Sequence, residues 1–285
     1  MTTDQAANFL AYYGYLQSMP DNRAVSRLGI HMSTSRYHAA IGQFQASTGL
    51  EVTGYVDVAT EALMEKPRCG CRDVDAARMV EFARWRKNRL TYHIASRIGN
   101  LAASEVDDIF HKAFSAWSKH ADITFTRVNS SDANIIISTG KGRGDGFDGP
   151  SGVLAWAELP NGNDGQLSTK FDLSEMWTAI LLLTVGTHEF GHICGLQHSA
   201  LRTALMYAYA NVDVFEPTER DDIPRIISLY GKAVDVPPPI HVGPGRAYLP
   251  EGAKAGQLAK VIFGTDYNAK IFLSDFHESS QELMT

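Results

Sequence analysis

The stretch Val185-Gly186-Thr187-His188-Glu189-Phe190-Gly191-His192-Ile193-Cys194-Gly195-Leu196-Gln197-His198 decides the fold and the chemistry of this chain. Residues four positions apart lie on one face of a helix, so His188 and His192 can direct their imidazoles at one ion. The apolar run 180–185 predicts a buried helix, and Gly195 stands where a left-handed residue would end it. Because that reversal brings His198 to the same ion, we predict a zinc site with three histidine ligands.

Glu189 lies beside these ligands without being one of them. Three protein ligands leave the fourth tetrahedral position to water, whose pKa a zinc ion lowers to about 7. A short His-Glu-x-x-His match arises by chance often enough to need support, and its extension to Gly195 and His198 supplies that support. A purely structural site would not need the carboxylate, so we predict catalytic zinc with Glu189 as the general base.

The long zinc motif followed by Ala204-Leu205-Met206-Tyr207 resembles the metzincin peptidases and their Met-turn. Ser199 after the third histidine points to the matrixins, the matrix metalloproteinases. The resemblance implies a zinc endopeptidase in which Glu189 moves a proton from water to the leaving amine and Met206 lies beneath the histidines. It implies an α+β fold: a metzincin catalytic domain with a twisted mixed five-stranded sheet and three helices, preceded by a small all-α peptidoglycan-binding-like prodomain.

The composition is that of an ordinary globular protein. The chain has 285 residues, 44% hydrophobic and 20% charged, enough for one sizeable core and a smaller domain. A net charge of -6 gives no basic field, so we expect no nucleic-acid partner. No run reaches the roughly 18 apolar residues of a transmembrane segment. Three cysteines are too few for a disulfide framework, and their odd number leaves at least one thiol unpaired.

The N-terminal region 1–66 has the pattern of a helical prodomain. Apolar residues at helical spacing form two sets, namely Phe9, Leu10, Tyr13 and Leu16, then Ile41, Phe44 and Leu50. They predict three short helices, the last one capped by Asp57. The stretch Tyr12-Tyr13-Gly14-Tyr15-Leu16 is similar to the opening of matrixin propeptides, although aromatic residues at this spacing also fit an ordinary core.

The segment Pro67-Arg68-Cys69-Gly70-Cys71-Arg72-Asp73 resembles the matrixin cysteine switch, within a switch and activation segment 67–78. A thiolate is a good fourth zinc ligand, so Cys69 could hold the site latent, and the resemblance implies that Arg68 and Asp73 clamp the loop. The sequence departs from the family at Cys71 and Arg72. Cys71 could compete for zinc or form a disulfide elsewhere, and a structural cysteine pair is the remaining alternative. The resemblance puts activation cleavage between residues 75 and 82.

Residues 140–177 match the matrixin segment that carries structural metals. The resemblance implies calcium ligands at the side chains of Asp148, Asp172 and Glu175 and at the carbonyls of Gly149, Ser151 and Val153. The family's three histidine ligands for a structural zinc correspond to Arg143, Trp156 and Lys170, and only Asp145 remains. We therefore expect a single zinc ion, with Arg143 or Lys170 pairing with Asp145 in place of the second.

The catalytic domain is predicted over 79–232. Strands are predicted at 90–94, 123–128, 133–138 and 153–157, and an amphipathic helix at 103–120. Val153, Leu154 and Ala155 resemble the edge strand that binds substrate antiparallel through its main chain, and Tyr209 lies in the predicted wall of the specificity pocket. The resemblance implies that Asp221 receives the new N-terminus after activation. Residues 233–285 read as a Pro-rich linker and a short tail, in which 260–263 and 270–273 could each be a strand.

The sequence thus predicts a latent zinc endopeptidase with Zn²⁺ and Ca²⁺ as cofactors. Expected partners are protein or peptide substrates and proteinaceous metalloproteinase inhibitors, and the chain is expected to be a monomer. Secretion is inferred from the resemblance alone, because residues 1–5 lack the basic start and apolar region of a signal peptide. The alternative is a carbohydrate- or peptidoglycan-binding module fused to a non-catalytic metzincin-like adaptor, against which the intact Glu189 argues.

Overall fold

The computed structural model describes residues 1–16, 34–74, 84–233, 242–243 and 246–247. The chain divides into two compact units, Met1–Val234 and Asp235–Thr285. The described part of the second unit is a two-stranded antiparallel hairpin of β7 (Val242–Gly243) and β8 (Arg246–Ala247). The predicted cleavage segment, the Pro-rich linker and the possible strands at 260–263 and 270–273 lie outside the described residues.

The first unit begins with helices α1 (Thr3–Tyr12), α2 (Thr34–Ser47) and α3 (Val58–Met64). Thr2 and Gln5 form a capping box on α1, and the Asp57 carboxylate accepts the N–H of Thr60 at 2.8 Å to cap α3 as predicted. These helices bury the apolar residues that the sequence pattern selected, including Leu10, Ile41 and Phe44. The same cluster contains the segment Tyr207-Ala208-Tyr209, so the N-terminal helices pack on the chain that follows Met206.

A mixed sheet follows, in the spatial order β1-β5-β6-β4-β2-β3. Its strands are β1 (Arg68–Cys69), β2 (Arg89–Ile94), β3 (Thr124–Arg127), β4 (Ile135–Gly140), β5 (Val153–Ala157) and β6 (Leu167–Asp172). Only the β5–β6 pair is antiparallel. Five strands lie within 84–233, as predicted for the catalytic domain, and the switch segment adds β1 to the sheet as a sixth.

Helices α4 (Ala103–Ser118), α5 (Ala179–Ile193) and α6 (Asp222–Tyr230) complete the unit. The apolar face of α4 packs on α5, where Phe114 stacks on Phe190 with ring centroids 3.7 Å apart. The predicted buried run 180–185 is wrong at its first residue, because Ile180 lies in the first turn of α5 and is exposed, while burial begins at Leu182. No helix in the described ranges is long and apolar enough to cross a membrane.

Candidate metal centre

Helix α5 presents the two histidines of the motif side by side. Their ring centroids are 4.9 Å apart, and both His188 and His192 are buried. Gly195 has φ 101° and the Leu196 N–H donates to the Gly191 carbonyl at 3.0 Å, which closes the predicted left-handed reversal. The reversal brings the Nε2 atom of His198 within 3.1 Å of the Nε2 atom of His192.

Each histidine is oriented through its Nδ1 atom. His188 Nδ1 lies 2.8 Å from the Leu205 carbonyl, and His192 Nδ1 lies 2.7 Å from the Leu196 carbonyl. His198 Nδ1 lies 2.7 Å from Asp73 Oδ1. With acceptors at all three Nδ1 positions, the three Nε2 atoms are left as lone-pair donors facing one point, which is the arrangement of metal-ligating histidines.

The Cys69 thiol completes the group. Its Sγ atom is 3.5 Å from His192 Nε2, and the ligand atoms of Cys69, His188, His192 and His198 all lie within 4.8 Å of one another. Tetrahedral ligands at the usual zinc distances lie about 3.3–3.8 Å apart, so this donor set fits zinc. The buried Nε2 of His188 also has no hydrogen-bond partner, as expected of a nitrogen whose lone pair is reserved for a metal.

The carboxylate of Glu189 lies next to this group and is fully buried. Its Oε1 atom has no hydrogen-bond partner. Burial raises the pKa of Glu189 to about 8, and the neighbouring Cys71 adds to the rise. A carboxyl group whose pKa lies near neutrality can both take up and release a proton, which is what general acid–base chemistry requires.

Cys71 lies in the same pocket rather than in a disulfide. All three cysteines are free thiols. The Cys71 Sγ atom donates to the Ala157 carbonyl at 3.1 Å and lies 4.0 Å from Glu189 Oε2. The prediction left open a disulfide elsewhere. In the structure the Cys71 thiol is free and lies beside Glu189, the candidate base. Cys194 is part of the core beneath α5, and burial raises its pKa.

The predicted clamp between Arg68 and Asp73 is present, with Arg68 Nη2 2.5 Å from Asp73 Oδ1. The Arg68 side chain is only 2% exposed and lies 3.5 Å from the Tyr13 ring centroid and 4.9 Å from that of Tyr209. A buried cation needs a partner with good geometry, and here it has a carboxylate and two aromatic faces. Tyr209, a predicted substrate-binding residue, is therefore covered in this form of the chain.

The switch segment occupies the edge of the sheet predicted to bind substrate. β1 pairs parallel with β5, with Arg68 N–H donating to the Gly152 carbonyl at 3.0 Å and Gly70 N–H to the Ala155 carbonyl at 2.8 Å. On its other side, Cys69 N–H donates to the Ala208 carbonyl at 2.9 Å. A cavity of about 20 Å³ beside His188 is lined by apolar side chains that include Leu154, Val185 and Val214.

Met206 and Asp222 support the histidines from below. Met206 is completely buried against α5. The Asp222 carboxylate accepts the N–H groups of Leu205 and Met206 at 2.9 and 3.1 Å, and the Thr218 hydroxyl at 2.6 Å. This role of Asp222 has no distinct signal in the sequence, because an acidic residue at a helix start is equally explained by the helix dipole. Asp221, its neighbour, pairs with Arg225 at 3.0 Å.

The predicted calcium residues lie in two segments, 148–153 and 172–175, which are joined by a hydrogen bond between Ser151 and Glu175. Val153 N–H donates to Asp148 Oδ1 at 2.8 Å and Ser151 N–H donates to Glu175 Oε1 at 2.5 Å, while Asp172 Oδ2 is buried without a partner. Burial raises the pKa of Glu175, with Asp172 and Asp148 adding to the rise. Among the described residues, candidate metal ligands lie within 4.8 Å of one another in only two groups. One is Cys69 with the three histidines, and the other is Cys69 with Cys71, Glu189 and His192. The three carboxylates thus concentrate negative charge that a bound cation would offset, but their oxygens do not converge on one point in this structure.

The residues that the resemblance aligns with a structural zinc site hold an ion pair. Lys170 Nζ lies 2.6 Å from Asp145 Oδ1, and Trp156 Nε1 donates to the Asp145 carbonyl at 2.7 Å. Hydrogen bonding from Lys170 lowers the pKa of Asp145. Of the two cations that the sequence offered as partners of Asp145, the structure uses Lys170, and Arg143 is exposed.

A mixed sheet, two histidines and a buried glutamate on helix α5, and a third histidine beyond the Gly195 reversal define a metal site of the metzincin type. A family profile described as Matrixin, peptidase M10, matches residues 84–231. The chain is 38% identical over 237 residues to human matrix metalloproteinase-20, covering 79% of this chain and 49% of that protein. It is 40% identical over 203 residues to Xenopus laevis matrix metalloproteinase-18, covering 67% and 43%.

Mouse stromelysin-1 is 34% identical over 261 residues, covering 86% of this chain and 54% of that protein. The chain belongs to the matrixin family. It spans about half the length of the curated relatives that it matches.

Proposed function

We propose that this chain is a latent zinc endopeptidase that cleaves extracellular proteins. The observation that carries the proposal is the convergence of three histidine Nε2 atoms and the Cys69 Sγ atom within 4.8 Å, beside the unpartnered carboxylate of Glu189. His188, His192 and His198 would hold the zinc ion, and Cys69 would be its fourth ligand in the latent form. Bound zinc supplies Lewis acidity, which polarises the scissile carbonyl and acidifies water.

The chain's own residues supply the remaining steps. Glu189 would take the proton of the attacking water and return it to the leaving amine, because its carboxylate lies beside the zinc ligands and its Oε1 atom has no other partner. Once the switch segment has left, the carbonyls of Gly152 and Ala155 are free to bind a substrate main chain at the edge of β5. A substrate running antiparallel would lie in the opposite direction to β1. With Cys69 withdrawn, the apolar residues that line the cavity beside His188 would form the walls of a pocket for one side chain of that substrate.

Two thiols would keep the enzyme latent. Cys69 fills the ligand position that water needs, and Cys71 occupies the space between Ala157 and Glu189. The helical region 1–66 would act as an all-α, peptidoglycan-binding-like prodomain that delivers both thiols, with Arg68 and Asp73 holding the loop. Asp148, Asp172 and Glu175, with the carbonyls of Gly149, Ser151 and Val153, would bind a structural calcium ion.

The cellular setting is proposed from the family. We expect a secreted monomer acting on protein or peptide substrates and open to proteinaceous metalloproteinase inhibitors. After cleavage within 75–82, the new N-terminus would pair with Asp221, which Arg225 neutralises in the latent form.

The proposal is tested with a quenched fluorescent peptide and the full-length protein. The parent is expected to be inactive until treated with an organomercurial or an activating protease, whereas Cys69→Ser should cleave peptide without treatment. Glu189→Ala should lose about 10²- to 10⁴-fold in kcat after activation, because the proton transfers lose their carboxylate. A parent that stays inactive under every activating condition would refute the enzyme, and a Cys69→Ser protein no more active than the untreated parent would refute the switch.

A further inference from the structure

The three candidate zinc ligands differ in what holds their Nδ1 atoms. His188 and His192 face the carbonyls of Leu205 and Leu196, which belong to the matrixin region 84–231. His198 faces a carboxylate instead, that of Asp73, which lies 125 positions earlier in the switch segment. Two of the acceptors are therefore permanent parts of the catalytic domain, and the third is carried by the prodomain.

The Asp73 carboxylate is fixed for this role. Its Oδ1 atom accepts from both His198 Nδ1 at 2.7 Å and Arg68 Nη2 at 2.5 Å, and its Oδ2 atom accepts from the Tyr15 hydroxyl at 2.7 Å. The side chain is 5% exposed and that of His198 is 7% exposed, so water competes little for these bonds. Tyr15 in turn lies 2.5 Å from the Ser47 hydroxyl, which ties the carboxylate to α2.

A carboxylate on the remote nitrogen of a ligating histidine fixes the tautomer and ring orientation and makes the metal-binding nitrogen more basic. Here the bond leaves His198 Nε2 directed at the other donors, 3.1 Å from His192 Nε2. We propose that Asp73, besides clamping Arg68, is a positioning residue for the zinc site that is present only in the latent chain and tightens its hold on zinc through His198. This inference rests on the proposed function, since it requires His198 to be a zinc ligand.

One consequence separates this role from that of the Cys69 thiol. Residue 73 precedes the proposed cleavage segment 75–82, so activation removes Asp73 together with Cys69. The activated enzyme should then hold zinc less tightly than the latent chain for two independent reasons, a lost ligand and a lost acceptor on His198.

The test measures zinc affinity by competition with a chromophoric chelator, using full-length protein in a Cys69→Ser background so that the thiol contributes to no variant. Asp73→Asn keeps the shape of the side chain and removes its charge. Loss of such an acceptor typically costs about 10- to 100-fold in metal affinity, and we expect a fall in this range. Tyr15→Phe is the matched control, because it removes one bond to the same carboxylate without touching His198, and its affinity should stay within about twofold of the parent.

A second readout separates positioning from clamping. Proton NMR of the latent protein should show a strongly downfield histidine Nδ1–H signal, present in Tyr15→Phe, absent in Asp73→Asn and lost on activation. Unchanged zinc affinity in Asp73→Asn would overturn the inference, as would a fall in affinity with the signal retained. A parent chain that binds no zinc would instead overturn the proposed function. After activation the parent and Asp73→Asn share one sequence, so any remaining difference in affinity would also contradict the assignment.

Discussion

Lys170 forms an ion pair with Asp145, and this single residue bears on how many metal ions the chain can bind. Where the resemblance to the family implies a histidine, this chain has Lys170, whose Nζ lies 2.6 Å from Asp145 Oδ1. The side chains are 29% and 37% exposed, so the pair is screened by solvent and contributes little to stability. The ion pair matters for the number of zinc ions bound, because the positive charge of Lys170 takes the place that a metal ion would occupy beside Asp145.

Metal analysis of the full-length protein should therefore find one tightly bound zinc ion per chain. Lys170→Ala should also retain one, because removing the lysine restores no histidine ligand. His198→Ala should weaken binding of the one ion that is present, which makes it the matched positive control. Two tightly bound zinc ions in the parent would show that Asp145 still takes part in a second site.

The site residues that could be predicted from the sequence are those whose placement depends on short spacing. His188, His192, Gly195 and His198 follow from helix geometry and one reversal, and the structure brings them together as predicted. The contact between Asp73 and His198 joins residues 125 positions apart and has no local signal. The resemblance to the family implied that Arg68 and Asp73 pair, but it gave no sign that one oxygen of the Asp73 carboxylate accepts from two donors.

Among the elements, the short strand β1 decides whether the cleft is open. Gly70 follows it and passes so close to β5 that an added Cβ would lie 2.6 Å from Val153 Cγ1 and 3.3 Å from Trp156 Cβ. Val153 is β-branched and stiff, so the switch segment rather than the strand would have to move. The position thus controls docking of the switch segment without itself being a proposed zinc ligand.

Gly70→Ala should raise the peptidase activity of the full-length protein before activation. A steric cost of about 1–2 kcal/mol would shift the docked and undocked populations by about 5- to 30-fold, and basal activity should rise in proportion. Gly144→Ala is the control, because no atom lies within 4 Å of its added Cβ. Equal basal activity in the two variants would mean that β1 docking does not limit access to the cleft.

Helix α6 holds the segment beneath the candidate zinc ligands through Asp222. Asp222 at its start is fully buried and accepts two N–H groups of the segment that contains Met206. Removing a buried acceptor leaves its donors unsatisfied, at a cost of about 1–3 kcal/mol for each group. Asp221 is the natural comparison, since it is adjacent, partly exposed and paired with a single arginine.

Asp222→Ala should lower the Tm of the latent protein by several degrees, whereas Asp221→Ala should change it little. The unfolding free energy should fall by about 2–5 kcal/mol for Asp222→Ala, as expected when several buried donors lose one acceptor. Circular dichroism during thermal unfolding measures the Tm and the unfolding free energy of each variant. Equal shifts in the two variants would show that the contact with the Met206 segment does not hold the site.

In the whole molecule, the switch segment joins the two buried clusters of the first unit. One cluster lies between the sheet and helices α4 and α5, and the other joins the N-terminal helices to residues 207–209. Periodicity predicted the helices of both clusters because each face is a local pattern. It could not predict that Tyr207 and Tyr209 belong to the prodomain cluster, or that Arg68 and Cys69 add a strand to the sheet, since those pairings are long-range.

The most direct test of the account is X-ray absorption at the zinc edge, recorded on the full-length protein before and after activation. We predict three nitrogen ligands and one sulfur ligand in the latent chain, with the sulfur replaced by oxygen in step with the appearance of peptidase activity. A Cys69→Ser protein should show no sulfur at any stage. A latent parent whose zinc has no sulfur ligand, or an active enzyme that retains one, would contradict the account.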